Sequence, residues 1–312
     1  MPVNTILRGN ANALIEEQLI REIVQGTVTQ SAVLSLFRRL PNMTSNVTSM
    51  PVLDMLPVAY WVDGDTGQKQ TTKVEWSRKK IYAAEIAVIV PIPEAVLDDA
   101  NYDIWGEITP RLVEAFGKKI DQAVLFGVEK PTQWRDSIID TIESAGNTVI
   151  ATDDLYADIY DENGVISKVE QSGFLPNTIL SAIPMRGKLR GLRDENKRPL
   201  FVDGLRDSAT PYALDGMPMV FPNNGAWDNE KALMICGDMS QAVYSIRQDM
   251  TYKLLTEGVI QNGDGSIAHN LAQNDMVALR VVMRLGWEIP NPINSIQTDS
   301  DLRCAFSVYK SE

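Results

Sequence analysis

Apolar residues recur along this chain in two rhythms, and each predicts a different element. Between residues 103 and 126, Ile104, Ile108, Leu112, Phe116, Ile120 and Val124 stand every four residues, a stripe that drifts slowly around a helix of 3.6 residues per turn. Unbroken, that helix is about 36 Å long at 1.5 Å per residue. Pro110 either kinks it or restarts it, with Thr109 as N-cap and Pro110 at N1, and Gly127 ends it. Residues 11–25 repeat the helical rhythm in miniature, with Leu14, Ile15, Leu19 and Ile23 on one side and Gly26 at the capping position. A second apolar segment, residues 31–40, contains Phe37 and leads into PNMTSNVTSMP, which reads as extended chain without a packed element. The first fifty-odd residues therefore read as an arm.

The second rhythm is that of strands. Residues 81–92 (IYAAEIAVIVPI) are strand-like, and a short helix follows over 93–99. Residues 241–257 and 276–289 read as long strands, the latter with Arg280 and Arg284 on one face. Between Trp134 and Gly237 the pattern is mixed: a helix over 134–145, a strand at 177–183, a helix over 184–192 and a strand at 217–221. That order is α+β and not a βαβ alternation, and no internal repeat is visible.

One stretch fits neither rhythm. WVDGDTGQKQTTKVEWSRKK, residues 61–80, is rich in glycine, threonine and charge, yet has a tryptophan near each end. Gly64 and Gly67 suit a tight reversal, so it reads as a hairpin. On its return limb Thr72, Val74 and Trp76 share one face, and Lys73, Glu75 and Ser77 the other. Nothing adjacent in sequence covers the apolar face, and an isolated hairpin is marginal in water, so it must lie on something else, either its own domain or another molecule.

Composition narrows the function. At 312 residues the chain can bury a real core and has room for about two domains. Its net charge of −12 argues against gripping nucleic acid through counterion release. Lys69, Lys73, Arg78, Lys79 and Lys80 make the hairpin its most basic stretch, and identical copies of an acidic chain supply a complementary surface. Cys236 and Cys304 allow at most one disulfide, which fits a reducing compartment. Neither a secretory signal nor a run of about eighteen apolar residues occurs, so no membrane partner is expected.

Familiar catalytic chemistry has little material. His269 is the only histidine, and no phosphate loop, dinucleotide fingerprint or nucleophile elbow is present. Asp63, Asp65 and Gly67 imitate the opening of a calcium loop, but its twelfth position is Val74. Asp98, Asp99, Asp153 and Asp154 read as caps or solvated acids. No cofactor, metal or catalytic residue is expected; an α+β enzyme with an unrecognised site is the rival from another class.

Taken in order, these features resemble the major capsid proteins of tailed phages, the Hong Kong 97 fold shared with encapsulins. The resemblance runs from about Ser31 to Pro292: the arm, AYWVDGD opening a long hairpin, VIVPIPEAVLDDA, the long helix closing with KKIDQAVLFG, NTILSAI, GKLRGLRDENKRPLF, LDGMPMVF, CGDMSQAVYSIRQDM and NDMVALRVVMRLGWEIPNP. Lys197 stands where the family often has glycine, which leaves that turn open.

The resemblance implies an α+β Hong Kong 97-like fold with an N-terminal arm (1–56), an extended E-loop (57–82), a peripheral domain with a spine helix (83–130), an axial domain (131–240), the peripheral domain's long strands (241–290) and a tail returning to the axial domain (291–312). It implies that Trp61, Lys69, Lys73, Val74, Trp76 and Arg78 of the E-loop, and Leu14, Leu19, Ile23 and Phe37 of the arm, contact neighbouring subunits, while Ile104, Ile108, Leu112, Phe116 and Ile120 form the spine. The expected partner is the chain itself, as pentamers and hexamers of an icosahedral shell around double-stranded DNA held without sequence specificity. A scaffolding protein, a portal and a decoration protein are further candidate partners. Assembly would take place in the host bacterial cytoplasm, and the virion would be the final location. An encapsulin-like compartment is the nearest rival. Some relatives crosslink an E-loop lysine to an asparagine; Lys69 or Lys73 and Asn262, Asn270 or Asn274 offer the side chains, but no catalytic surroundings are recognisable, so no crosslink is expected.

Overall fold

The computed structural model describes residues 31–59, 61, 71–99, 104–193 and 212–311. Its first part holds α1 (Ala32–Leu36), β1 (Arg38–Arg39), β2 (Val47–Met55), β3 (Glu75–Tyr82), β4 (Ala84–Pro93), α2 (Glu94–Asp99) and the long α3 (Ile104–Phe126). The middle holds α4 (Ile138–Ala145), β5 (Thr148–Ile150), α5 (Leu155–Tyr160), α6 (Val165–Gln171), β6 (Thr178–Ser181), α7 (Met185–Gly191), β7 (Ala213–Leu214), β8 (Met217–Val220) and β9 (Met234–Gly237). Then come β10 (Val243–Leu255), β11 (Val259–Gln261), β12 (Ile267–Asn270), β13 (Met276–Glu288) and β14 (Phe306–Lys310).

The long strands form a sheet in the order β1-β10-β13-β4. β13 is buried along most of its length, with only Arg280 and Arg284 exposed, on one face as their spacing predicts. Arg284 stands opposite Glu85 in the β4–β13 ladder, and its Nε donates to the carboxylate at 2.7 Å. Against the sheet lies α3. Leu112, Phe116, Ile120 and Val124 are buried in one core with Leu279, Val281, Met283 and Leu285, and Ile108 packs against that core half-buried. The helix is continuous through Pro110, so the restart at Thr109 does not occur. The proline ring would crowd the carbonyl four residues back, which here belongs to Gly106, the residue type freest to tilt its peptide aside.

A six-stranded sheet, order β5-β14-β9-β6-β8-β7, gathers the middle of the chain and draws in its final strand, β14, between β5 and β9. β6 and β9 are buried at every position. Cys236 and Cys304 are both buried and unpaired, their thiols pushed up to about 12 and about 11 by burial. The helix expected from residue 134 begins instead at Ile138, because Ser137 and Asp140 form a reciprocal capping box, and Gly146 in the left-handed region ends it.

Two expectations near the N-terminus need correction. Residues 41–51 read as extended chain without a packed element, at the end of an arm running to 56; instead residues 47–55 form β2 and pair antiparallel with β3 from Val47↔Tyr82 to Met55↔Glu75. The hairpin's outgoing limb therefore starts before residue 57. The polar composition misled because this strand has little to bury: only Val52 of its nine residues is buried. Likewise the apolar run 81–92 is two strands, since β3 pairs with β2 and β4 with β13, the chain changing partners at Ala83.

Candidate functional site

The two-stranded ribbon of β2 and β3 is anchored at one end. Ile81, fully buried, packs with Met43, Ala83 and Val243. The Tyr82 carbonyl accepts a hydrogen bond from the Trp134 indole N–H at 3.0 Å. Gly286 allows β13 to pass beneath: a Cβ there would come within 2.5 Å of the Tyr82 oxygen. The root of the ribbon is thus fixed by packing, a hydrogen bond and a glycine that cannot be enlarged without moving the strand.

Away from the root the burial stops. Trp76 is 66% exposed, Val58 55% and Val74 45%, and Met55 and Trp61 are exposed as well. The limbs stay joined past the ladder, since the Val58 N–H donates to Thr72 Oγ1 at 3.0 Å. Among the described residues the face shared by Thr72, Val74 and Trp76 is left uncovered, as is the opposite face with Lys73 and Glu75. Lys73, Arg78, Lys79 and Lys80 add four exposed positive charges to the same limb. Apolar and basic groups thus project together from an acidic molecule, an arrangement that suits an apolar surface edged with carboxylates.

Of the residues expected between subunits, Trp61, Lys73, Val74, Trp76 and Arg78 lie exposed on the ribbon. Lys69, Leu14, Leu19 and Ile23 fall outside the described residues, as do the Ile104 side chain, the region 11–25, the Asp63–Asp65 pair and the Lys197 turn. Phe37 is a correction: it is 5% exposed, with its ring centroid 6.4 Å from that of Trp287, so it is core of its own chain and not a contact for a neighbour. Its spacing of four and three residues from Val33 and Leu34, which it follows as the extended C-cap of the short helix, carried the burial signal that the reading as an arm overrode. Asn262 and Asn274 have local partners, Ser266 Oγ for the first and the Asn270 N–H for the second.

Sequence reasoning missed a buried carboxylate at the base of the arm. Asp121, fully buried in α3, accepts from Ser31 Oγ at 2.7 Å, from the Ala32 and Val33 N–H groups at 3.1 Å each, and from Asn224 Nδ2 at 2.7 Å. Burial raises its pKa, outweighing the four donors that pull the other way. It ties three distant segments together and fills orphan N–H groups at the start of α1. A lone acid on the apolar flank of the helical stripe was the only signal available.

Among the described residues no group of three or more histidine, cysteine, aspartate or glutamate side chains is placed to hold a metal ion, and no helix is long and apolar enough to cross a membrane.

Comparison with known proteins gives this geometry its context. The model of the phage capsid family matches residues 11–297. The major capsid protein of Staphylococcus phage 80alpha is 27% identical over 291 residues, 92% of this chain and 85% of that protein. Among solved structures, one from Microbacterium phage Oxtober96 superposes with a TM-score of 0.77 at 36% identity over 91% of both chains. Another, from Mycobacterium phage Adephagia, gives 0.76 at 31% identity over 90% of both chains. With a family match across most of its length, and whole-chain likeness to phage proteins in both sequence and fold, the chain belongs to the phage capsid family, as a major capsid protein with the Hong Kong 97-like fold.

Proposed function

We propose that the chain acts structurally, without a catalytic step, closing as pentamers and hexamers into an icosahedral shell around double-stranded phage DNA. The observation that carries this is the ribbon: Trp76, Val74 and Val58 are held out on or just past its paired strands, where none of the described residues covers them. Ordering large apolar side chains in water has no return unless another surface receives them. The ribbon serves as the E-loop over a neighbouring copy, its basic limb facing that copy's acidic surface. In this reading α3 is the spine and the six-stranded sheet is the axial unit.

Modest contacts repeated around each subunit give a stable closed surface by multivalency, each weak enough to be corrected during growth. Each copy then buries more than about 2,000 Å² with its neighbours, as permanent assemblies do. The net charge of −12 confines DNA without binding it. A separate scaffolding protein, a portal and a decoration protein are the further partners of this reading, and the host cytoplasm is its place of assembly.

Negative-stain microscopy with sedimentation velocity tests it, on the full chain and on a chain with the ribbon tip shortened. Shells or rings from the first and none from the second are expected. A folded monomer in both, at high concentration and with a candidate scaffold added, would overturn the proposal.

A further inference from the structure

The loop joining β13 to β14 is organised around one guanidinium. Arg303 is 4% exposed, and its acceptors lie within that loop. Its Nε donates to Asn291 Oδ1 at 3.1 Å; one terminal nitrogen donates to the Gln297 and Thr298 carbonyls at 3.1 and 3.0 Å, and the other to the Asn291 carbonyl at 3.1 Å. Asn291 has a φ of 50°, a left-handed conformation asparagine tolerates, and its Nδ2 closes the ring by donating to the Ser300 carbonyl at 3.2 Å. A fork of fixed donors surrounded by carbonyls gives residues 291–303 a single shape.

This loop grips two other parts of the chain. On one side Asn294 Nδ2 donates to the Ser172 carbonyl at 2.9 Å, just past α6. The approach is close enough that a Cβ on Gly173, whose φ is +81°, would meet the Asn294 side chain at 2.7 Å. On the other side the Ile293 N–H donates to the Leu53 carbonyl of β2 at 3.2 Å. That contact falls where the β2–β3 register shifts between Leu53 and Met55, leaving Asp54 as the extra residue. Asp54 is also near enough for its charge to act on Arg303. A bulge bends its strand and increases the local twist, so the ribbon changes direction at the point where the loop holds it.

We propose that Arg303 is a positioning residue for the ribbon, and that residues 291–303 form a bracket setting the angle at which the exposed end of the ribbon leaves the body. Only its consequence for shell geometry rests on the assembly reading. A ribbon free to swing would present Trp76 over a range of directions, and neighbouring copies would close at varied angles.

Spin labels at Glu75→Cys on the ribbon and Ala115→Cys on α3 test the bracket in the full, unassembled chain. Cys236 and Cys304 are buried and do not compete for the label. The parent chain is expected to give one narrow distance. Arg303→Lys, which keeps the charge but loses the fork, is expected to lose that distance to a broad distribution, and Asp54→Asn to broaden it less. Asp54 is exposed, so its variant keeps the test decisive should Arg303→Lys fail to fold. A distance unchanged in the folded variants would overturn the proposal. Shells of mixed diameter are expected from a variant whose distance broadens, and uniform shells from such a variant would overturn the link to geometry. Absence of shells from the parent chain would count against the assembly reading alone, because the distance measurement needs none.

Discussion

The strands of the six-stranded sheet and the strands of the ribbon are made by one chain under opposite conditions. β6 and β9 have every residue buried, and β14 all but its last. β3 buries Ile81 alone. In the first case the side chains supply the reason for the strand, since both faces leave water. In the second the backbone is paired and most side chains are not buried, so the ribbon is held by its ladder and its anchored root while its exposed side chains add little. The sheet is where the subunit is made stable, and in the proposed assembly the ribbon is where it is made adhesive.

The widest gap between the two regions should appear in unfolding. Phe306 is fully buried in β14, and the glycine across the ladder, Gly237, leaves just enough room for its ring: a Cβ there would stand 2.5 Å from Phe306 Cδ1. Phe306→Ala is expected to destabilise the chain by about 3–5 kcal/mol, the usual result of emptying a buried phenylalanine site. Urea titration followed by circular dichroism measures it. A loss below about 1 kcal/mol would mean that the site collapses freely and that the sheet is less rigid than its burial indicates.

Asp121 should come next, and it sharpens the comparison because it is polar and yet belongs to the body. Asp121→Ala leaves donors from Ser31, Ala32, Val33 and Asn224 without their acceptor, at a cost of about 1–3 kcal/mol. The pH dependence has a definite sign. Burial raises the carboxyl's pKa in the folded chain, so as pH rises through the ordinary carboxylate range the unfolded chain releases its proton first. This site's stabilisation is therefore full at low pH and falls as pH climbs through the raised folded value. Asp121→Asn, which cannot ionise, should remove that decline. An identical pH profile in parent and variant would show that the carboxylate is not perturbed.

How far the sequence could be read differs between the two regions for a physical reason. The spine stripe, the long strands and the exposed pair Arg280 and Arg284 were legible because burial imposes a period on side chains, and the period survives without any coordinates. β2 was not legible, because a strand that buries one residue in nine has no pattern to show; only its pairing with β3 defines it. Phe37 was misplaced because a segment of the chain far from it in sequence, at Trp287, supplies its partner. Asp121 and Arg303 stayed hidden for a related reason. A buried ionisable residue looks like a surface one until the donors or carbonyls that surround it are assembled from elsewhere. The exposed ribbon tryptophan was legible as an anomaly, a large apolar group in a polar stretch, and its exposure is what the proposed function builds on.

Trp76→Ala should have the smallest effect on the isolated chain, and in that respect it is the most informative change. At 66% exposed, the indole is largely hydrated already, and its removal is expected to shift unfolding by no more than about 0.5 kcal/mol, the range of ordinary surface substitutions. Assembly should respond differently. A tryptophan buries roughly 150–250 Å² when covered, so covering the two-thirds that is now exposed contributes about 2–4 kcal/mol per contact at ~25 cal/mol per Å². In the proposed shell that contact would recur in every subunit, so losing it everywhere multiplies a modest deficit into failure to close. Sedimentation velocity on parent and variant at matched concentration separates the cases. Free, folded subunits from the variant and large particles from the parent are expected. Particles from both would move the adhesive role away from Trp76 to the other exposed apolar groups of the ribbon. Unfolded subunits from the variant would mean instead that the indole serves its own chain, and the division between a stable body and an adhesive ribbon would fall.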